Sequence, residues 1–245
     1  MSNKRGKTFK NMLMILAMIL AFYLGLHSPL FVIQSIEVNG NRVVAQEEVE
    51  MLADISDNSN IFMANLPMMS KSIAIHPLIK TVEIGRKLPD TLKITITERD
   101  IWAVIPCEQS YLYVDEEGVL LDQRLTADLE VWPLLTLSDF PDYLVRGQAV
   151  NHEAAVLAHS VSVTLTDAMR QRISEYHYDT GSKELYIYTL DGAEIRFGSD
   201  ERLEDKLVEL AEVLELEQEM MVAGKEAIQY ADIRYAGQSV LKLSE

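Results

Sequence analysis

The sequence lacks the residue patterns on which most enzymes depend. It has no glycine-rich phosphate loop, no H-E-x-x-H or C-x-x-C pair and no G-x-S-x-G nucleophile turn. Cys107 is the single cysteine, which excludes an internal disulfide, and its place at the end of an apolar strand is typical of an inert thiol. His152 and His159 could share a helix face, but they have no third close ligand, so a surface or core pair is favoured over a metal site. We therefore expect no catalytic residue, no metal and no cofactor.

Basic residues are scarce after the first ten positions. Those ten contain four of the 22 basic residues and none of the 38 acidic ones, so the remainder has 18 basic against 38 acidic residues. Such an acidic domain repels phosphate backbones, and we expect no nucleic-acid partner.

Charge is absent from residues 11–36, which contain the apolar run MLMILAMILAFYLGL. With its flanks, this run reaches the roughly 17 to 20 residues of helix that cross a bilayer core. A cleaved signal peptide is the alternative, but the sequence FYLGLHSP at the end of the apolar run contains no convincing small-x-small cleavage site. We predict a basic cytoplasmic tail over 1–11 and an uncleaved transmembrane helix over 12–28. The basic tail places the rest of the chain outside the cytoplasm.

The residues after the anchor alternate between strand and helix patterns. Ile36 and Val38 precede an Asn-Gly-Asn turn, and residues 43–56 and 60–77 form two helical stretches, the second rich in methionine. A hairpin then turns at Pro89-Asp90. The order predicts two helices against one face of a three-stranded sheet, with the methionines filling the core.

The remaining residues predict a mixed, mainly antiparallel β domain with flanking helices. A turn at residues 115–118 joins two strands, an alanine-rich helix follows at 151–160, and three further strands end near Gly198. Ser199-Asp200 is expected to cap a helix whose leucines repeat at 4-3-4 spacing and pack on the domain's own sheet. The closing segment YADIRYAGQSVLKL has strand character on both sides of its glycine.

The combination of these elements resembles the FtsQ/DivIB family of bacterial cell-division proteins, and the match covers nearly the whole chain. The β-α-α-β-β order resembles a POTRA domain, here over 31–99, and the second domain of the family corresponds to 100–245. The POTRA motif residues are Gly40, Asn41, Pro89, Leu92, Glu98 and Arg99. The β-domain motif residues are Asp115, Gly118, Gly198, Lys206, Leu207, Asp232, Arg234 and Tyr235. Ile101 and Trp102 replace the Pro-Val-Ala that often follows the POTRA pair.

The resemblance implies a non-catalytic scaffold in the cytoplasmic membrane at the division septum. Its implied partners are small single-pass proteins like FtsB/DivIC and FtsL, through which it helps to assemble the septal peptidoglycan synthesis machinery. An open sheet edge suits this role, because its unpaired backbone groups accept a strand from another chain. We expect binding over 231–243, with the outer face of the preceding helix in support. The central residues are Tyr235, Gly237, Gln238, Ser239, Val240 and Leu241.

Two other interpretations remain open at this point. One is a membrane-anchored extracytoplasmic enzyme such as a wall hydrolase. The other is a POTRA module of outer-membrane assembly or secretion, although the sequence shows neither repeated POTRA units nor a barrel-length series of strands.

Overall fold

The computed structural model describes residues 2–56, 58–235 and 240–243, with side chains from residue 9 onward. The chain forms two compact units, Met1–Glu98 and Arg99–Glu245. The sequence predicted an α+β protein with an N-terminal apolar helix, a POTRA domain and a β-rich second domain, and the structure confirms this fold class.

The first helix, α1 (Ser2–Leu26), contains the apolar run. Its stretch Phe9–Leu26 has a mean hydropathy of 1.9 over 18 residues, and no part of the stretch is buried within the protein. At a rise of about 1.5 Å per residue this stretch is about 27 Å long, close to the thickness of a bilayer's hydrocarbon core. The helix fits a single-pass membrane anchor.

The remainder of the first unit has the β-α-α-β-β order. Its elements are β1 (Ser35–Asn39), α2 (Gln46–Ala53), α3 (Leu66–Ile73), β2 (Ile79–Lys87) and β3 (Thr91–Glu98). The sheet order is β1-β3-β2, with β1 parallel and β2 antiparallel to the central β3. A parallel pair needs a long crossover, which α2, α3 and β2 provide.

The core of the first unit lies between β3 and the two helices. Alternate residues of β3, Leu92, Ile94 and Ile96, point to one side and are buried with Val49 of α2 and Ile73 of α3. The strand alternation predicted from the sequence is therefore what builds this core.

Methionines contribute little to that core, contrary to the sequence-based expectation. Met69 is buried, whereas Met63 and Met68 are largely exposed. The reason is that α3 is only eight residues long and begins at Leu66, so Met63 precedes the helix and Met68 lies on its outer side.

The second unit is built on one nine-stranded sheet. Its strands are β4 (Ala103–Cys107), β5 (Ser110–Val114), β6 (Leu120–Arg124), β7 (Leu134–Leu137), β8 (Ile173–Asp179), β9 (Glu184–Thr189), β10 (Glu194–Gly198), β11 (Ile228–Asp232) and β12 (Val240–Leu243). Their order is β12-β11-β10-β9-β8-β7-β4-β5-β6. The pairs β4–β7, β7–β8 and β10–β11 are parallel and the others antiparallel, so the sheet is mixed and mainly antiparallel, as predicted.

Helices α4 (His152–Thr164), α5 (Asp167–Arg170) and α6 (Leu203–Val222) accompany this sheet. The buried sides of α4 and α6 share one hydrophobic core with the sheet. Leu210 and Leu214 of α6 are fully buried there, in agreement with the predicted leucine stripe.

The predicted N-cap of α6 is wrong. The cap residue is Arg202, which has a left-handed backbone (φ 54°) and makes no side-chain cap bond, and Ser199 instead accepts the amide of Glu201 at 3.3 Å. The turn before the helix is longer than expected because Lys206 reaches back into it. Its buried Nζ donates to the carbonyls of Phe197 (3.1 Å) and Ser199 (2.5 Å) and holds the turn closed.

Candidate partner-binding edge

Strand β12 is the last strand at one end of the nine-stranded sheet. It pairs antiparallel with β11 through Asp232↔Val240 and Ala231↔Leu241. Within residues 2–56, 58–235 and 240–243, no strand lies on its other side. Every residue of β12 is exposed, so the strand offers an open rim of backbone groups.

The two faces of β12 differ in what they present to solvent. Leu241 and Leu243 pair with Ala231 and Ile228, which are buried, so both leucines lie on the core face of the sheet. They are nevertheless 40 % and 41 % exposed. The end of the core face is therefore an uncovered apolar strip that continues the hydrophobic core outward.

The opposite edge of the same sheet pairs with another segment of the chain at the start of β6. Leu120 of β6 accepts the amide of Gly147 (2.8 Å) and donates its own amide to the carbonyl of Gln148 (2.9 Å). An isolated bridge between Val119 and Ala149 extends this pairing. Among the described residues, pairing at this edge is limited to residues 118–120, whereas no strand pairs with the outer side of β12.

Of the six predicted contact residues, the structure places three at this edge. Val240 and Leu241 belong to β12, and Tyr235 is exposed just after β11. Gly237, Gln238 and Ser239 lie outside the described residues. Leu243 ends the predicted binding segment 231–243 but was not among its central residues, although its period-two spacing from Leu241 indicated that both share a face.

Arg234 holds in place the residues that follow β11. Its guanidinium donates to both carboxylate oxygens of Asp232, with Nε–Oδ1 at 2.9 Å and an Nη–Oδ2 distance of 2.6 Å. It also reaches Glu184 on β9 at 3.0 Å. The hydrogen bond from Arg234 holds the pKa of Asp232 below its usual range despite partial burial. Glu184 is 50 positions away along the chain, and no sequence pattern pointed to it.

Gly198 leaves the room that Arg234 occupies. It has φ +80°, and a Cβ at this position would lie 2.9 Å from Cγ of Arg234. The guanidinium carbon of Arg234 in turn lies 5.3 Å from the centre of the Tyr235 ring, within the range of a cation–π contact. The glycine and the Asp-x-Arg-Tyr residues of the motif thus form one structure beside β12.

Glu98 of the POTRA motif binds a loop within the first unit. Glu98 is 5 % exposed, and its carboxylate accepts hydrogen bonds from the amides of Arg42 (2.8 Å), Val43 (3.0 Å) and Val44 (2.9 Å). Burial acts to raise the pKa of Glu98, but the three amides and the Arg42 charge outweigh burial and lower it. The residue is structural.

The other motif residues of the first unit are also structural. Gly40 has φ +85°, and a Cβ there would lie 2.0 Å from the carbonyl oxygen of Ile96. Asn41 donates to the carbonyl of Val44 at 3.2 Å, Leu92 is fully buried and Pro89 lies in the turn between β2 and β3.

The side chain of Arg99 makes its ion pairs within the second unit. Its guanidinium donates to Asp115, which is fully buried, and to Glu117 at 2.7 Å. Asp115 also accepts the amides of Glu117 and Val119 at 3.0 Å and 2.8 Å. The Glu98-Arg99 pair of the motif therefore divides its contacts between the two units.

The residues considered for chemistry have structural contacts. Burial, and secondarily the charge of Glu108, raise the pKa of the Cys107 thiol, which disfavours the reactive thiolate. His152 Nδ1 lies 2.9 Å from the carbonyl oxygen of Glu117, and the His159 ring packs edge-on against Trp102 at 5.2 Å. In the described part of the chain, no three potential metal ligands are grouped closely enough to hold an ion.

Comparison with known proteins matches both units. The model described as "POTRA domain, FtsQ-type" matches residues 31–99. The model described as "Cell division protein FtsQ/DivIB, C-terminal" matches residues 103–234, more than half of the chain. These matches confirm the resemblance inferred from the motifs.

Individual relatives agree with the family models. The chain is 34 % identical over 96 residues to cell division protein DivIB of Clostridium acetobutylicum, a match that spans 39 % of each chain. It is 23 % identical over 248 residues to DivIB of Clostridium botulinum (strain Loch Maree), over 99 % of this chain and 94 % of that one. The solved structure of the major extracytoplasmic domain of the trans isomer of DivIB from Geobacillus stearothermophilus aligns with a TM-score of 0.32 and 21 % identity, over 46 % of this chain and 87 % of that one. The matching residues in both units show that this chain belongs to the FtsQ/DivIB family of cell division proteins.

Proposed function

We propose that this protein is a non-catalytic divisome scaffold that binds small single-pass division proteins by strand addition to β12. The partners are FtsB/DivIC-like and FtsL-like chains, through which the scaffold helps to assemble the septal peptidoglycan synthesis complex. The observation that carries the proposal is the open outer side of β12, with which no described strand pairs, whereas residues 147–150 pair with residues 118–120 at the start of β6.

The energetics of the edge indicate what else binding requires. A strand laid along the four residues of β12 gains roughly four backbone hydrogen bonds, each worth about 0.5–1.5 kcal/mol net. Covering the remaining exposed part of Leu241 and Leu243 adds roughly 1 kcal/mol for each leucine. The gross gain of about 4–8 kcal/mol is offset by the cost of ordering the partner, so the edge alone supports weak binding.

Membrane co-localisation supplies the missing affinity. In our proposal, α1 spans the cytoplasmic membrane at the septum with its basic end inside, and both folded units lie outside the cytoplasm. Partners anchored in the same membrane reach a high effective concentration at β12 without any additional contact. This explains why a strand of four residues is sufficient.

A matched pair of aspartate substitutions tests the proposal. Leu241→Asp puts a charge on the uncovered strip beside β11, and Leu125→Asp makes the same change at an exposed leucine just after β6, at the opposite end of the sheet. We expect full-length protein with Leu241→Asp to lose co-purification of the FtsB/DivIC-like partner from membranes, while Leu125→Asp retains it. Equal recovery with both variants, or with a chain lacking residues 240–245, would refute strand addition at β12.

A further inference from the structure

A second uncharged segment lies in the first unit. Residues 58–70 contain no charged residue, although the chain has 38 acidic and 22 basic residues in total. They include Met63 and Met68, two exposed methionines that do not pack into the core. A longer uncharged stretch, residues 11–36, contains the anchor.

The two uncharged segments meet where the anchor helix ends. The side chain of Asn60 donates to the carbonyl of Leu26, the last residue of α1, at 2.7 Å. The amide of Ile61 then donates to the carbonyl of Phe31 (2.8 Å), and the amide of Ile33 donates to the carbonyl of Ser59 (2.9 Å). The last carbonyls of a helix lack partners within it, so Asn60 satisfies one of them at the point where α1 would leave the bilayer.

The loop after Asn60 is held in place from the protein side. Arg86 of β2 donates to the carbonyls of Ile61 (2.6 Å) and Ala64 (3.0 Å). The rings of Phe31 and Phe62 meet edge-on at 4.9 Å and pack against the core. These two rings are turned inward, whereas Leu30 and Met63 beside them are each 60 % exposed.

The turn between β2 and β3 belongs to the same end of the unit. The amide of Gln34 donates to the carbonyl of Asp90 at 2.9 Å, which ties this turn to the residues that follow the anchor. Leu88 is exposed in the turn, and the neighbouring Lys87 pairs with Glu37 at 2.5 Å. The side chain of Asp90 accepts a hydrogen bond from Thr91 at 3.2 Å.

We propose that Leu30, Met63 and Leu88 form a membrane-seated foot of the POTRA unit. The occupant of this surface is the bilayer that holds α1, and the three side chains rest in its outer interfacial layer. The proposal depends on the proposed topology, in which α1 spans the membrane. Continuity with the anchor through Asn60 and the absence of charge from residues 58–70 favour a lipid surface over a protein partner. The foot would fix the orientation of the POTRA unit relative to the membrane.

Fluorescence quenching by spin-labelled lipid tests the foot directly. The full-length chain carries Cys107→Ser and one new cysteine with an environment-sensitive dye, and is reconstituted in vesicles of equal parts phosphatidylcholine and phosphatidylglycerol. The labelled positions are Met63→Cys and Leu30→Cys in the foot, Ile15→Cys in the anchor and Val43→Cys as the matched control. Val43 is also apolar and 75 % exposed, but its amide binds Glu98 at the far end of β3. That strand of eight residues places Val43 about 25 Å from the foot.

Each result decides between distinct conclusions. We expect a nitroxide near the lipid headgroup to quench positions 63 and 30 at least twofold more than position 43, and a nitroxide deep in the acyl chain to quench position 15. Equal quenching at 63, 30 and 43, with position 15 quenched, overturns the foot and leaves the anchor intact. Absence of quenching at position 15 overturns the membrane topology and the foot with it. Two foot positions are labelled so that local disturbance by one dye does not decide the result.

Discussion

Replacing Glu98 by glutamine removes one charge and leaves the shape of the side chain unchanged. In the native protein this carboxylate accepts the backbone amides of Arg42, Val43 and Val44, and the three bonds close the loop between β1 and α2 over the end of β3. The net direction of the pKa shift of Glu98 is downward, so the fold favours the ionised form. Loss of the charge is therefore destabilising.

The magnitude follows from the number and type of the bonds. A hydrogen bond to a charged group is worth about 1.5–3 kcal/mol against about 0.5–1.5 for a neutral one, a difference of about 1 kcal/mol for each of the three amides. Glutamine recovers part of this loss, because burying a neutral amide costs less than burying a charge. We expect Glu98→Gln to lower the free energy of unfolding of the first unit by about 2 kcal/mol, which corresponds to roughly a thirtyfold change in its folding equilibrium.

The same reasoning predicts a pH dependence. A carboxyl group whose pKa is lowered by folding contributes stability that is fully present above its unfolded pKa, about 4.3 for glutamate. The contribution is lost as the pH falls through the lower, folded pKa of Glu98. The difference between Glu98→Gln and wild type should thus be constant near neutral pH and should shrink on acidification below about pH 4.

Both tryptophans, Trp102 and Trp132, lie in the second unit, so tryptophan fluorescence does not report on unfolding of the first unit. Hydrogen–deuterium exchange of the full-length chain in nanodiscs measures the effect instead. We expect protection of the β3 amides to fall roughly thirtyfold in Glu98→Gln and to be unchanged in Glu83→Gln, the same substitution at an exposed glutamate of β2. Protection of β3 within twofold of wild type at neutral pH, or a difference that persists at acidic pH, would refute the assigned role.

Three further substitutions test the motif residues. Gly40→Ala should reduce β3 protection by more than tenfold, because its Cβ would lie 2.0 Å from the Ile96 carbonyl oxygen at a positive φ; an unchanged exchange rate would contradict that contact. Arg99→Met should destabilise the second unit by about 3–5 kcal/mol, since it leaves buried Asp115 without its cation, and denaturant unfolding followed by tryptophan fluorescence measures this. Lys206→Met should cost about 1–3 kcal/mol in the same assay, because two carbonyls before α6 lose their donor; a variant as stable as wild type would show that water replaces the Nζ.

Much of the fold could be predicted because it depends on local periodicity. The alternation of Leu92, Ile94 and Ile96 predicts a strand with one buried face, and this face is the core of the first unit. Likewise, the strand character on both sides of residue 237 predicts two strands, and the structure shows β11 and β12 as an antiparallel pair.

The order of the strands could not be predicted in this way. Strand β7 lies between β4 and β8 and is parallel to both. The four residues of β7 contain no pattern that identifies these partner strands, which lie about 30 and 40 positions away along the chain. The predicted start of α6 was wrong for a related reason. Ser199 has the residue type of a helix cap, but Lys206 binds the carbonyl of Ser199 and holds it in the preceding turn, and the helix begins at Leu203.

The candidate site could be located by sequence, but its availability could not. Motif residues pointed to the segment around Tyr235 and Leu241, whereas the pairing of residues 147–150 with the start of β6 and the open rim of β12 depend on the tertiary structure. Arg99 shows the same limit. It belongs to the POTRA motif of the sequence, but its ion-pair partners, Asp115 and Glu117, lie in the second unit.

The most direct test of strand addition is amide exchange along the two edge strands in the assembled complex. Full-length protein is reconstituted with its FtsB/DivIC-like and FtsL-like partners in one bilayer, and complex formation is verified by co-purification. Strand addition at β12 predicts that the amides of Val240–Leu243 become at least tenfold more protected than in the scaffold alone, while those of Leu120–Arg124 do not change. A verified complex in which Val240–Leu243 exchange as fast as in the free protein would contradict it.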